Sequence, residues 1–240
     1  MNIIESIEHL NQIPQTEKHL WYIPETISAN IQIEESNEPL LNIDTEAKNM
    51  GVNLILASVS PVPYNKSMFL RKGAIDCLFQ AAKKLEEKSN GEIIFKLTDT
   101  FRPLELQKKY FEEIKQDIIQ KEGLSGKELW ERVTQFIADP DLCPPHSTGG
   151  AIDLTLAYGD SQEELNMGTP VDTIDDKANT WHEAVVGEER KNRNLLFEVM
   201  THAGFVNLTS EWWHYSYGDG YWGAFNGKNA LYGSQEKMPE

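Results

Sequence analysis

The stretch Pro144-Pro145-His146-Ser147-Thr148-Gly149-Gly150-Ala151-Ile152-Asp153-Leu154-Thr155-Leu156 constrains this chain more than any other. Gly149-Gly150 reads as a turn, and the residues after it alternate and include β-branched types, as in a half-buried strand. Side chains on a strand alternate faces, so Ala151, Asp153 and Thr155 share one face while Ile152, Leu154 and Leu156 share the other. Asp153 therefore points away from the apolar face, and a fold-back at the two glycines brings the His146 ring towards it. A loop histidine followed by an ordinary strand with a solvated Asp fits the same residues.

Glu211-Trp212-Trp213-His214-Tyr215 adds a second imidazole and a second carboxylate. Its aromatics favour a strand, but residues three apart on a regular strand face opposite ways. Glu211 and His214 serve one site only if the strand bulges there or begins after Glu211. The plainer alternative is an aromatic edge strand with two polar residues on its wet side. If the two stretches meet, His146, Asp153 and His214 supply three ligands. That leaves a tetrahedral Zn²⁺ one open position, the arrangement of a catalytic site, with Glu211 as the base beside it.

These residues carry a family resemblance. His146, Gly149, Ala151 and Asp153 form a His-x-x-Gly-x-Ala-x-Asp pattern, and together with Glu-Trp-Trp-His at 211–214 it resembles the VanX-type D-alanyl-D-alanine dipeptidases, a group of zinc D,D-peptidases. The likeness extends to Thr98-Asp99-Thr100-Phe101-Arg102-Pro103 and to Met167-Gly168-Thr169-Pro170-Val171-Asp172, four motifs in the family's order from the sixties to about residue 220. The resemblance implies one zinc per chain held by His146, Asp153 and His214. It implies Glu211 as general acid and base, Arg102 as the cation that stabilises the transition state, and Asp172 as the carboxylate that holds the free amino group of a dipeptide. The chain departs from the family pattern at Pro144, where Ser is frequent, and at Thr148, where Arg is usual, and both changes remove polar groups near the substrate. Three rivals stay open: a D,D-carboxypeptidase or endopeptidase on peptidoglycan peptides, a dipeptidase of other specificity, and a binding module with a non-catalytic metal.

Across the 240 residues, 22 Lys and Arg stand against 38 Asp and Glu, a formal net charge of -16. An acidic surface disfavours nucleic acid and anionic membrane as partners and leaves a small zwitterionic dipeptide unhindered. Cys77 and Cys143 alone suggest no disulfide framework and suit a reducing compartment, and Cys143 is a weak candidate ligand. The opening residues lack a signal-peptide pattern and no apolar run reaches membrane-spanning length, so the expected location is cytoplasmic. His9, His19, His182 and His202 lack partners at metal-site spacing.

Helical spacing predicts helices over 67–88, 104–121, 125–138 and 181–203, with Ser125 as a cap. Strands are expected at 31–33, at 52–57 ending before Pro61-Val62-Pro63, and at 92–97. Residues 139–145 read as rigid and extended, and 159–180 as a long functional loop. The expected fold is α+β, a mainly antiparallel sheet with helices packed on one side and a zinc cleft on the other. Residues 1–50 form an acidic N-terminal extension, 51–225 the zinc D,D-dipeptidase domain, and 226–240 a C-terminal tail that frays.

Overall fold

Alternation along Ala151–Tyr158 (β5) places Ile152, Leu154 and Leu156 on one face, all wholly buried. Burying each aliphatic side chain contributes roughly 1.5–3 kcal/mol, which fixes the register against a one-residue slip. The computed structural model describes residues 12–14, 17–57 and 68–239. The opening residues with His9, and Pro61-Val62-Pro63, lie outside that range.

The strands in chain order are β1 (Leu40–Asn42), β2 (Leu54–Leu56), β3 (Phe69–Arg71), β4 (Ile93–Asp99), β5, β6 (Val206–Asn207) and β7 (His214–Ser216). Five form one sheet in the order β2-β4-β5-β7-β6, and β1 pairs with β3 separately. Only β2 and β4 run parallel within the five, the other three pairings being antiparallel. The result is a mixed α+β fold.

The helices are α1 (Glu25–Ser28), α2 (Ile43–Met50), α3 (Lys72–Ser89), α4 (Leu104–Glu122), α5 (Gly126–Val133), α6 (Pro145–Thr148), α7 (Gly187–His202) and α8 (Gly220–Asn226). In α3 the apolar stripe Ala74, Cys77, Leu78, Ala81 and Leu85 recurs at helical spacing, and the helix stops at Asn90 in the left-handed conformation. This stripe and Leu196, Val199 and Met200 of α7 share one core with Phe95, Leu97, Ile152, Leu154, Leu156 and Tyr215 of the sheet. A smaller cluster of Ile118, Leu129, Val133 and Ile137 joins α4 to α5.

Several local expectations differ from what is found. The helix expected from Trp181 starts at Gly187. The Asn179 side chain accepts from Trp181 N–H and the His182 ring from Ala184 N–H, so local side chains take donors a helix start would need. Ser125 occupies the position before α5 but makes no side-chain cap. Residues 31–33 contribute one bridge, Ile33 to Ala230, rather than a strand. Residues 139–145 are not extended throughout, for Asp139 accepts from Asp141 N–H and a 3₁₀ turn spans Pro140–Leu142. Gln235 N–H donates to Ser147 O and Leu104 N–H to Gln235 O, so the segment expected to fray is tied down.

Candidate active site

His146 sits inside the single turn of α6, which Gly149 closes with φ 75°. Four successive carbonyls of this turn are occupied from outside. Arg102 N–H donates to His146 O at 3.0 Å, Gln235 N–H to Ser147 O at 2.7 Å, and Arg71 N–H to Gly149 O at 2.8 Å. The Arg71 Nε donates to Thr148 O at 3.0 Å. A Cβ on Gly150 would overlap the Tyr217 carbonyl oxygen, so the second glycine is required by close backbone approach. The turn is therefore rigidly placed before the ring is considered.

On the sheet, Asp153 is paired across strands with His214 on one side and with Asp99 on the other. Directly opposed residues project to the same face, so Asp99, Asp153 and His214 line up on the face opposite the apolar core. The register of β4 shifts between Leu97 and Asp99, which re-aims Asp99. β7 begins at His214, and Glu211 precedes it in a turn closed by His214 N–H to Glu211 O. That turn resolves the three-residue spacing that a regular strand forbids. Asn207 Nδ2 donates to both Glu211 O and His214 O at 3.0 Å.

His146, Asp153 and His214 thus offer donor atoms that all lie within 4.8 Å of one another. His146 Nε2 is 3.3 Å from Asp153 Oδ2, and His214 Nδ1 is 2.9 Å from Asp153 Oδ1. Asp153 and His214 are buried, and the His146 side chain is 12% exposed. His146 Nδ1 lies 2.8 Å from Thr100 O. A carbonyl only accepts, so Nδ1 carries a hydrogen, and Nε2, facing the cluster, is the nitrogen a metal would take once its own proton is displaced. Burial disfavours charge on these groups, but the carboxylates of Asp153 and Asp99 hold His146 above its usual range. Burial likewise opposes ionisation of Asp153, yet the His146 and His214 imidazoles hold it well below the usual carboxylate range. A buried anion flanked by two imidazoles, with a nitrogen and oxygen donor set of this size, fits Zn²⁺.

The other predicted residues lie close enough to these donors for their charges to interact. Burial raises the Glu211 carboxyl, which also feels His214, Asp153, His146 and Asp172. Arg102 donates NH1 to Gln107 Oε1 at 2.9 Å and pairs through NH2 with Asp99, while its charge reaches His146 and Asp172. Asp172 adopts φ 62° in the 159–180 loop. Its carboxyl is pushed up to about 6 by burial, then by the like charges of Asp153 and Asp99. The residue is exposed, and the charges of His146 and Arg102 pull its carboxyl down against Asp153 and Asp99. The loop is stapled by Arg193, whose guanidinium donates to Met167 O, Asn179 O and Lys177 O, and by Trp212 Nε1 to Thr169 Oγ1 at 2.8 Å.

Three contributors escaped the sequence reading. Asp99 was visible only as part of a strand end, although its spacing to Arg102 allowed an i,i+3 pair. Tyr22 comes from the stretch before residue 50 and sits close enough to feel the charge of Glu211. Asp219 is wholly buried near His214. Cys143 stands apart from the donor cluster, accepting from Ser234 Oγ at 3.3 Å.

A family model described as D-Ala-D-Ala dipeptidase, of peptidase family M15, matches residues 69–228. A D-alanyl-D-alanine dipeptidase of Synechocystis sp. is 29% identical over 80% of this chain and 87% of its own length. The D-alanyl-D-alanine dipeptidase of Escherichia coli is 37% identical over 36% of this chain and 46% of its own. That of Enterococcus faecalis is 37% identical over 29% of this chain and 35% of its own.

Proposed function

This chain belongs to peptidase family M15 and is a zinc-dependent hydrolase, and we propose that it hydrolyses the D-alanyl-D-alanine dipeptide, with His146, Asp153 and His214 holding the metal. The observation that carries this reading is Glu211, half-buried beside the three donors yet outside their set, with its carboxyl raised by burial. Zinc, when bound, supplies Lewis acidity that acidifies water and polarises a carbonyl.

The protein's own groups account for the remaining steps. Glu211 removes a proton from the attacking water and returns it to the departing amine nitrogen, so one carboxylate serves as base and then acid. The Arg102 guanidinium, held by Asp99 and Gln107, faces the oxyanion that forms as the carbonyl is attacked. Asp172 pairs with the substrate ammonium and so selects a free dipeptide. The zinc cleft lies on the sheet face that carries Asp153 and His214, opposite α3 and α7. The formal charge of -16 and two unpaired cysteines support a cytoplasmic enzyme without nucleic-acid or membrane partners. Cell fractionation that finds the protein outside the cytoplasm would sink that placement.

Thr148 favours a second, broader reading. It is wholly buried, its hydroxyl donating to Pro145 O and accepting from Gly150 N–H, so it offers the substrate no polar contact. A panel of dipeptides of both stereochemistries, with and without chelator, separates these readings. Cleavage of D-Ala-D-Ala that is lost with chelator and restored by zinc is expected. Preference for bulkier second residues supports a dipeptidase of other specificity, and efficient cleavage of N-acetylated peptides supports a carboxypeptidase.

A further inference from the structure

A histidine that offers Nδ1 to a metal carries its hydrogen on Nε2, and in a buried site that hydrogen needs an acceptor. His214 turns Nδ1 towards Asp153, and its Nε2 faces Ser216 Oγ at 3.4 Å. The two residues are neighbours on one face of β7, as strand alternation dictates. Ser216 is wholly buried, as is Asp219, whose carboxyl burial pushes up while the Trp222 N–H and the Ser216 hydroxyl favour its charged form. Asp219 Oδ1 accepts from Trp222 N–H at 2.9 Å and so caps α8. A cap needs one oxygen. Oδ2 is also buried, with no hydrogen-bond partner at standard geometry. The Ser216 hydroxyl, free to rotate, is the donor placed to meet it.

We propose that Asp219, acting through the Ser216 hydroxyl, fixes the tautomer and orientation of His214, so that Ser216 and Asp219 are positioning residues for the metal site. The hydrogen bonds run in one direction, from His214 Nε2–H to Ser216 Oγ and from Ser216 O–H to Asp219 Oδ2. The contrast with His146 is direct, since that ring has a backbone carbonyl, Thr100 O, in the same outer place. The proposal rests on His214 being a zinc ligand.

Asp219→Asn tests it selectively. The amide oxygen keeps the helix cap, for Asn caps about as well as Asp. Its NH₂, however, donates to Ser216, which then turns its own hydrogen towards Nε2 and puts the His214 hydrogen on Nδ1, the atom meant for zinc. Loss of an outer partner typically weakens metal binding by about 10–100-fold, and that loss is expected here by chelator competition on the full chain. The melting temperature of the metal-free protein should stay at the parental value. Imidazole nitrogen chemical shifts of zinc-loaded parent should show His214 protonated at Nε2.

Ser216→Ala removes the hydroxyl and leaves the cap intact, so it carries the test if Asp219→Asn also lowers the melting temperature. Zinc affinity at the parental level in both variants would overturn the proposal and leave Asp219 as a helix cap. His214→Ala, measured alongside, separates the two failures. Full zinc occupancy in that variant overturns the ligand set and this proposal together, whereas a zinc-free His214→Ala with unaffected Asp219→Asn and Ser216→Ala overturns the proposal alone.

Discussion

Asp153 and Asp172 lie within reach of each other's charge and are shifted in opposite senses. Asp153 lies in the middle of the sheet, buried between two imidazoles that hold it well below the usual range. Asp172 lies in a loop at an exposed position, and burial of its carboxyl, then the like charges of Asp153 and Asp99, push it up to about 6. The same side chain is made a permanent anion by one region and a titrating group by the other. The sheet holds the fixed anion, and the loop holds the carboxyl whose charge can change.

The sharpest way to break this division is Asp153→Asn, which keeps the shape and removes the anion. It should release the zinc and with it essentially all turnover. Elemental analysis showing one zinc per chain in that variant would mean that the sheet residue is not what holds the metal. Next in size is Glu211→Gln, which should keep zinc and fold while losing ~10²–10⁴-fold in rate. Zinc content and hydrolysis must be read on the same preparation, because metal loss gives the same dead enzyme for a different reason. Parental turnover by the zinc-loaded variant would leave the acid and base role without an owner.

Asp172→Asn comes third and should act on binding. A hydrogen bond to a charged group contributes about 1.5–3 kcal/mol, so KM for a dipeptide with a free amino end should rise by roughly 10–100-fold at little cost in kcat. An equal loss with N-acetylated substrates would count against a role in holding the ammonium. The smallest effect is on pH. Asp172 is neutral below its pKa and an uncharged acid does not pair with the ammonium, so KM should climb as pH falls through about 6. Zinc's positive charge draws that midpoint lower. Asp172→Asn should flatten this acid limb; an unchanged limb would assign it to another group.

The meeting of His146, Asp153 and His214 was legible because it obeys local rules: two-residue alternation aims Asp153, and the three-residue gap from Glu211 to His214 demands the turn that is found. Asp219 was not legible because its link to His214 depends on where the chain after β7 turns back, which leaves no periodic trace. The same holds for β2, whose parallel pairing with β4 sits beside antiparallel neighbours. The late start of α7 reflects competition by Asn179 and His182, side chains whose preference for local backbone bonds could have been weighed. The hold of Gln235 on Ser147 is a long-range hydrogen bond between two irregular segments, invisible to composition.

The pinned turn around His146 also has a history in time. Its anchors come from Arg71 and Arg102, already synthesised when His146 emerges from the ribosome, and from Gln235, which is not. His214, the third donor, also emerges later. Synthesis proceeds at roughly 5–20 residues per second, so for on the order of ten seconds a nascent chain exposes His146 and Asp153 with neither His214 nor the last of its braces. Completion of the three-donor set thereby waits on the synthesis of His214, and a nascent chain stalled before Gln235 has a His146 turn that lacks one of its four outside supports.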